Sequence, residues 1–108
     1  MSYSVELSDN FKKEAKRLIK KYRSLKTEIS ELLIELKTNP IKGTPLGNDI
    51  YKIRLSIKSK GKGKSGGARV MSFVKVTETT VLLFSIYNKG EKDTISDKEI
   101  QALIKDFQ

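Results

Sequence analysis

Three cations stand where strand geometry can bring them together: Lys52 and Arg54 in "IYKIRLSI", and Arg69 in "SGGARVMSF". Side chains of an extended strand alternate between its two faces. Tyr51, Ile53, Leu55 and Ile57 therefore share one face, and Lys52, Arg54 and Ser56 share the other. Arg69 opens the next strand and can join them across one or two strand spacings, about 5 to 10 Å. Like charges on adjacent strands repel, and a bound phosphate would reverse the sign of that interaction. Arginine holds a phosphate with a planar fork, whereas lysine supplies a mobile point charge. A plainer role suits the same residues, because lysine and arginine on exposed strands block edge pairing. Both readings stand at this level.

Around these three lie further candidates. Tyr87 ends the strand "TVLLFSIYN", and Lys89 and Lys92 follow it in a glycine-containing turn. Phe73 and Tyr87, near a cationic patch, point toward RNA, whose unstacked bases lie on aromatic rings. Each also has a bland reading: a tyrosine at a strand end packs, and lysines in a turn are solvated. The loop from Ser56 to Ser65 carries Lys58, Lys60, Lys62 and Lys64. Its Gly61 and Gly63 are no nucleotide fingerprint, since no helix follows them. Gly66 and Gly67 then permit the chain to turn back onto the sheet. The chain has no histidine and no cysteine, which removes the commonest general base, thiolate metal sites and disulfides. No cluster of metal ligands is expected.

The elements that must position these residues follow from periodicity. Tyr3, Val5 and Leu7 alternate as a short opening strand. Ser8 is an N-cap, and Phe11, Ala15, Leu18, Ile19 and Tyr22 recur at helical spacing. Leu25, Ile29, Leu32, Leu33 and Leu36 repeat the same offsets after a short break, so two helices form an antiparallel hairpin with a shared apolar side. The second helix ends before Pro40. "IKGTPLGND" is expected to be a loop. "IYKIRLSI", "ARVMSFVKV" and "TVLLFSIY" read as three strands of an antiparallel meander, the last two apolar on both faces as central strands are. Ser96 with Glu99, and Ile95 with Ile100, announce a C-terminal helix by its capping box and staple. The expected class is α+β: one domain over 1–108, helices on one face of an antiparallel sheet.

Of the 108 residues, 22 are Lys or Arg and 13 are Asp or Glu, for a formal net charge of +9. Phe11 to Lys26 holds eight positive residues and one acid, and Ile50 to Thr77 holds eight and none. Two basic blocks on a mildly acidic remainder make a polyanion the natural partner, through counterion release and steering. A basic surface kept for solubility is the alternative. Lysines along the first helix read as a solvated face that could also grip a large RNA. "MSYSVEL" lacks the plan of a signal peptide, and no apolar run approaches about 18 residues, so a cytoplasmic protein without membrane contact is expected.

The element order, the paired helices, "NPIKGTPLGNDIYKIRL", the Gly-Gly-Ala-Arg strand opening and "YNKGEKDTIS" resemble the RelE/ParE superfamily of type II toxin-antitoxin toxins. "GKGKSGGARV" is similar to the hairpin of its HigB-type branch. The resemblance covers nearly the whole chain. It implies a RelE-like fold and an mRNA interferase that works in the ribosomal decoding site; with no metal ligands clustered, a reaction without metal or other cofactor is expected. A cognate antitoxin, often of helix-turn-helix type, would neutralise it. Carried onto this chain, the family's cationic strand residues fall on Lys52 and Arg54, its strand-opening arginine on Arg69, and its C-terminal basic element on Lys89 and Lys92. The catalytic set so implied is Lys52, Arg54, Arg69 and Lys89. Lys58, Lys60, Lys62, Lys64, Phe73, Tyr87 and Lys92 would contact RNA. Some relatives use a histidine or tyrosine for proton transfer; with no histidine present, Lys52 or Lys89 is the expected group. A ParE-like gyrase poison and a non-catalytic RNA-binding protein are the rival classes on the same fold.

Overall fold

Ser8 is where strand becomes helix. Its backbone is extended and its hydroxyl accepts the Phe11 N–H at 3.0 Å, so one orphan donor of the helix is met locally. The computed structural model describes residues 2–61, 66–92 and 94–107. In chain order these form β1 (Ser4–Leu7), α1 (Asp9–Lys21), α2 (Leu25–Thr38), β2 (Thr44–Gly47), β3 (Ile50–Leu55), β4 (Ala68–Lys75), β5 (Thr80–Asn88) and α3 (Asp97–Ile104). Short 3-10 turns occupy Lys58–Lys60, Val76–Glu78 and Lys105–Phe107.

The five strands make one sheet in the order β1-β5-β4-β3-β2. The class is α+β as expected, with β3, β4 and β5 an antiparallel meander. The sheet as a whole is mixed rather than antiparallel, because β1 runs parallel to β5. The helical hairpin explains the direction: it carries the chain out and back, so that the Tyr3 N–H donates to Lys37 O at 2.8 Å. The chain is thereby returned beside the start of β1. Residues Thr44–Gly47, expected in a loop, form an edge strand on β3, with a register shift between Pro45 and Gly47. Proline and glycine are tolerated there because an edge strand has one side free of ladder bonds.

The sheet is covered on both faces. On one, α1 and α2 bury Phe11, Leu18, Leu25 and Leu36 against Ile53, Ile57, Val70, Leu83 and Ile86. On the other, Ile100 and Ile104 of α3, with Ile95, pack on Ile50, Met71, Phe73, Leu82 and Phe84. The expectation of all helices on one face is thus corrected. Central strands that are apolar on both faces need two covers, and α3 supplies the second. Its capping is as expected: the Ser96 hydroxyl accepts the Glu99 N–H at 3.2 Å, and both Ile95 and Ile100 are buried. No helix among the described residues is long and apolar enough to cross a membrane.

Truncating Leu18, which has no exposed surface, leaves a cavity between the hairpin and the sheet. Leu18→Ala is expected to lower stability by about 2–5 kcal/mol in urea denaturation. Ile34→Ala, at a position 67% exposed, is expected to stay within about 0.5 kcal/mol of wild type.

Candidate nucleic-acid interface

Cross-strand register assembles the site. Arg54 on β3 is the direct partner of Arg69 on β4, and Arg69 is the direct partner of Tyr87 on β5. Direct partners in an antiparallel pair have Cα atoms about 4.5 to 5.5 Å apart. Arg54, Arg69 and Tyr87 therefore form one row across three strands. Lys52 lies two residues along β3 on the same face, opposite Met71. Beyond it the face is occupied by the apolar residues that α3 covers.

The row is graded in exposure. Arg54 is exposed and Lys52 half-buried, whereas Arg69 is 4% exposed and Tyr87 3%. The Arg69 Nη1 donates to the Ala68 carbonyl at 3.1 Å, which folds the guanidinium back along its own strand. Lys92 approaches Tyr87 from the turn after β5, its Nζ 5.7 Å from the ring centroid and 3.5 Å from Glu99 of α3. An ammonium at that distance is attracted to the ring face. Tyr87 is thus the floor of the row, held between α3's core and a lysine.

Lys89 is exposed, and its backbone N–H donates to Gly67 O at 3.1 Å. This bond ties the turn after β5 to the start of β4. Gly67 has a second neighbour, Leu55, whose carbonyl would collide with any Cβ added there. The glycine is required by close approach of three chain segments, rather than by the turn-making freedom expected from the sequence. Phe73 stands apart from the row, 8% exposed in the core beneath α3. Lys58 and the backbone of Lys60 lie in the 3-10 turn after β3. Lys62 and Lys64 fall outside the described residues.

Sequence reasoning missed how the base of the lysine loop is fastened. Glu28, 6% exposed on α2, accepts the Lys58 N–H at 2.7 Å and the Ser24 hydroxyl at 3.1 Å. The Ser24 hydroxyl also accepts the Ser59 N–H at 2.9 Å, instead of capping its own helix. A buried carboxylate thus latches a cationic segment to the helical hairpin. The one available signal was the pair Ser24 and Glu28 at i and i+4 before an apolar run, which reads equally well as a local helix start.

A second tie joins α1 to the turn after β5. Arg17 donates through both terminal nitrogens to Glu91 at 3.3 Å each. That hydrogen bond, opposed by desolvation and aided by the charges of Arg17 and Lys21, holds the Glu91 carboxyl below its ordinary value of 4.5. Among the described residues, no group of three or more acidic side chains could hold a metal ion.

The family model of RelE, the toxin of the RelE/RelB toxin-antitoxin system, matches residues 7–106. Among solved structures, the chain is similar to a free-state double arginine-to-alanine mutant of the E. coli toxin RelE, at 19% identity over 100% of both chains with a TM-score of 0.65. It is similar to the isolated E. coli RelE toxin at 20% identity, covering 98% of this chain and 100% of that one, with a TM-score of 0.52. A chain of the intact E. coli RelBE toxin-antitoxin complex matches at 22% identity, over 81% of this chain and 96% of that one, with a TM-score of 0.50. At these identities the likeness is one of fold. No curated protein sequence matches the chain.

Two outcomes follow from the anchors. Glu28→Ala removes the acceptor of the part-buried Lys58 N–H bond and is expected to cost about 1 kcal/mol, with faster amide exchange at Lys58. Glu28→Gln keeps a carbonyl there and should restore most of the protection. For Glu91 the folded value is depressed, so its contribution is present above 4.5 and is lost as pH falls through the lower folded value. The stability gap between wild type and Arg17→Ala is therefore expected to close in acid titrations of unfolding.

Proposed function

The chain belongs to the RelE family of toxins from RelE/RelB toxin-antitoxin systems, and on that premise we propose that it is an mRNA endonuclease acting in the ribosomal decoding site. The observation that carries the reading is the row Arg54–Arg69–Tyr87, with Lys52 on the same face. Two arginines paired directly across a ladder concentrate positive charge on one face of the sheet. An RNA phosphodiester is an anion of the right charge, with two unbridged oxygens for two guanidinium forks.

The chemistry asks little of the protein beyond alignment and charge. The 2′-hydroxyl oxygen preceding the scissile bond attacks phosphorus, its proton passing to a base. A pentavalent phosphorane forms, and the 5′-oxygen leaves with a proton, giving a 2′,3′-cyclic phosphate and a 5′-hydroxyl. Arg54 and Arg69 bind the phosphoryl oxygens and stabilise the negative charge that grows on them. Lys52, at the edge of the row, and Lys89, beside Gly67, are the proton-transfer groups this reading assigns. Tyr87 backs the row from beneath, with Lys92 beside it. The loop lysines and the basic face of α1 hold ribosomal and messenger RNA at longer range, where each charge contributes a little and the sum sets the salt dependence. No step in this scheme needs a metal ion.

The partner proposed is an antitoxin with an acidic segment that covers the cationic row, of helix-turn-helix type on the resemblance noted above. The E. coli RelBE complex, whose toxin shares this fold, supports an antitoxin partner.

Induction of the chain in bacteria with mapping of mRNA 5′ ends tests the reading. Codon-linked cuts are expected, and Arg54→Ala or Arg69→Ala should reduce cleavage about a hundredfold or more. Arg54 is exposed, so its variant separates lost chemistry from lost folding. Intact mRNA with trapped DNA breaks, or unimpaired growth, would overturn the assignment.

A further inference from the structure

β5 has one residue more than β4 has partners for. The ladder runs Phe73 to Leu82 and Ser72 to Leu83, then jumps to Met71 with Ser85, Val70 with Ile86 and Arg69 with Tyr87. An unbroken count would instead pair Met71 with Phe84, Val70 with Ser85 and Arg69 with Ile86. Ile86 would then stand in the cationic row and Tyr87 would turn toward the helical hairpin, because a one-residue slip moves each side chain to the opposite face. In the structure Ile86 is buried in the hairpin core and Tyr87 in the core of the α3 face. The bulge decides which of two adjacent residues faces Arg69.

The bulge is held from α1. β1 pairs with β5 only as far as Leu83, so the outer edge of β5 beyond that point needs other partners. The Ser8 N–H donates to Leu83 O at 3.0 Å, and Asn10 Nδ2 donates to Phe84 O at 2.9 Å. Consecutive carbonyls of a regular strand point to opposite edges; here the N-cap Ser8 and Asn10 of α1's first turn meet both. Half-buried Glu14 completes the clamp. Its Oε1 accepts the Ser85 hydroxyl at 2.9 Å, the Ile86 N–H at 3.3 Å and Asn10 Nδ2 at 2.8 Å. One carboxylate oxygen thus grips the two residues between the bulge and Tyr87.

We propose that Glu14 is a positioning residue: by fixing the β5 bulge it presents Tyr87, rather than Ile86, to the cationic row. Bulges recur beside active sites because they re-aim a side chain in this way. The functional part of the inference rests on the endonuclease reading; the register part does not. The bland alternative is that Glu14 only caps an open strand edge.

Single-turnover cleavage of a short mRNA on programmed ribosomes, alongside NMR of the free protein, separates the two. Glu14→Ala is expected to accelerate exchange of the Ile86 amide, weaken the cross-strand contact between the Arg69 and Tyr87 backbones, and slow cleavage about 10- to 100-fold. Glu14→Gln, which keeps the accepting oxygen, should stay near wild type in all three. In a Tyr87→Ala background, adding Glu14→Ala should cost no further activity. An equal loss in both backgrounds, or unchanged cleavage despite a loosened bulge, would overturn positioning through Tyr87. If wild type itself fails to cleave, the endonuclease reading falls. The register measurements then decide alone: an Arg69–Tyr87 contact untouched by Glu14→Ala would overturn the role of Glu14.

Discussion

The ladder between β3, β4 and β5 is the constraint on which the rest of the molecule depends. It forces Arg54, Arg69 and Tyr87 into one row, and it buries residues 70–74 of β4 on both faces. Both consequences need cover. The helical hairpin supplies it on one face, and α3, with only eight residues, supplies it over part of the other. Of the cations on that face, Arg54 is exposed and Lys52 half-buried, whereas Arg69 is buried. Burial of apolar area stabilises the sheet at roughly 25 cal/mol per Å².

Negative charge is distributed with the same economy. The hairpin carries most of its lysines outward and turns two carboxylates, Glu14 and Glu28, toward the backbone of other segments. Each accepts a main-chain N–H from a strand or turn that adjoins the cationic row. Charge-assisted bonds of this kind are stronger than neutral ones. The helices therefore do more than cover the sheet: α1 fixes the end of β5 and α2 fixes the base of the lysine loop. Glu91 adds a third, exposed tie through Arg17.

Much of this was legible in the residues. The parity of "IYKIRLSI", with Ile53 and Ile57 inward and Lys52 and Arg54 outward, needed only the two-residue period of a strand. The caps at Ser8 and Ser96 needed only hydrogen-bond chemistry local to a helix start. Periodicity found the helical hairpin for the same reason. The parallel placement of β1, the pairing of β2 and the face taken by α3 were not legible, since each depends on which distant segment is adjacent. Gly67 illustrates the difference. Its presence suggested conformational freedom, but its reason is the Leu55 carbonyl, which no reading of neighbouring residues could place.

By itself, then, the sequence determined the alternation of faces, the helix boundaries, the basic character of two blocks and the set of side chains available for phosphate chemistry. These are properties of short windows, governed by backbone sterics, side-chain period and formal charge. Only the tertiary structure decided that Arg54 stands opposite Arg69, that Tyr87 rather than Ile86 completes their row, and that Phe73 belongs to the core under α3. Register is a relation between strands far apart in the chain, and one extra residue in β5 inverts it. No local period records where that residue is absorbed; the hydrogen bonds of Ser8, Asn10 and Glu14 do.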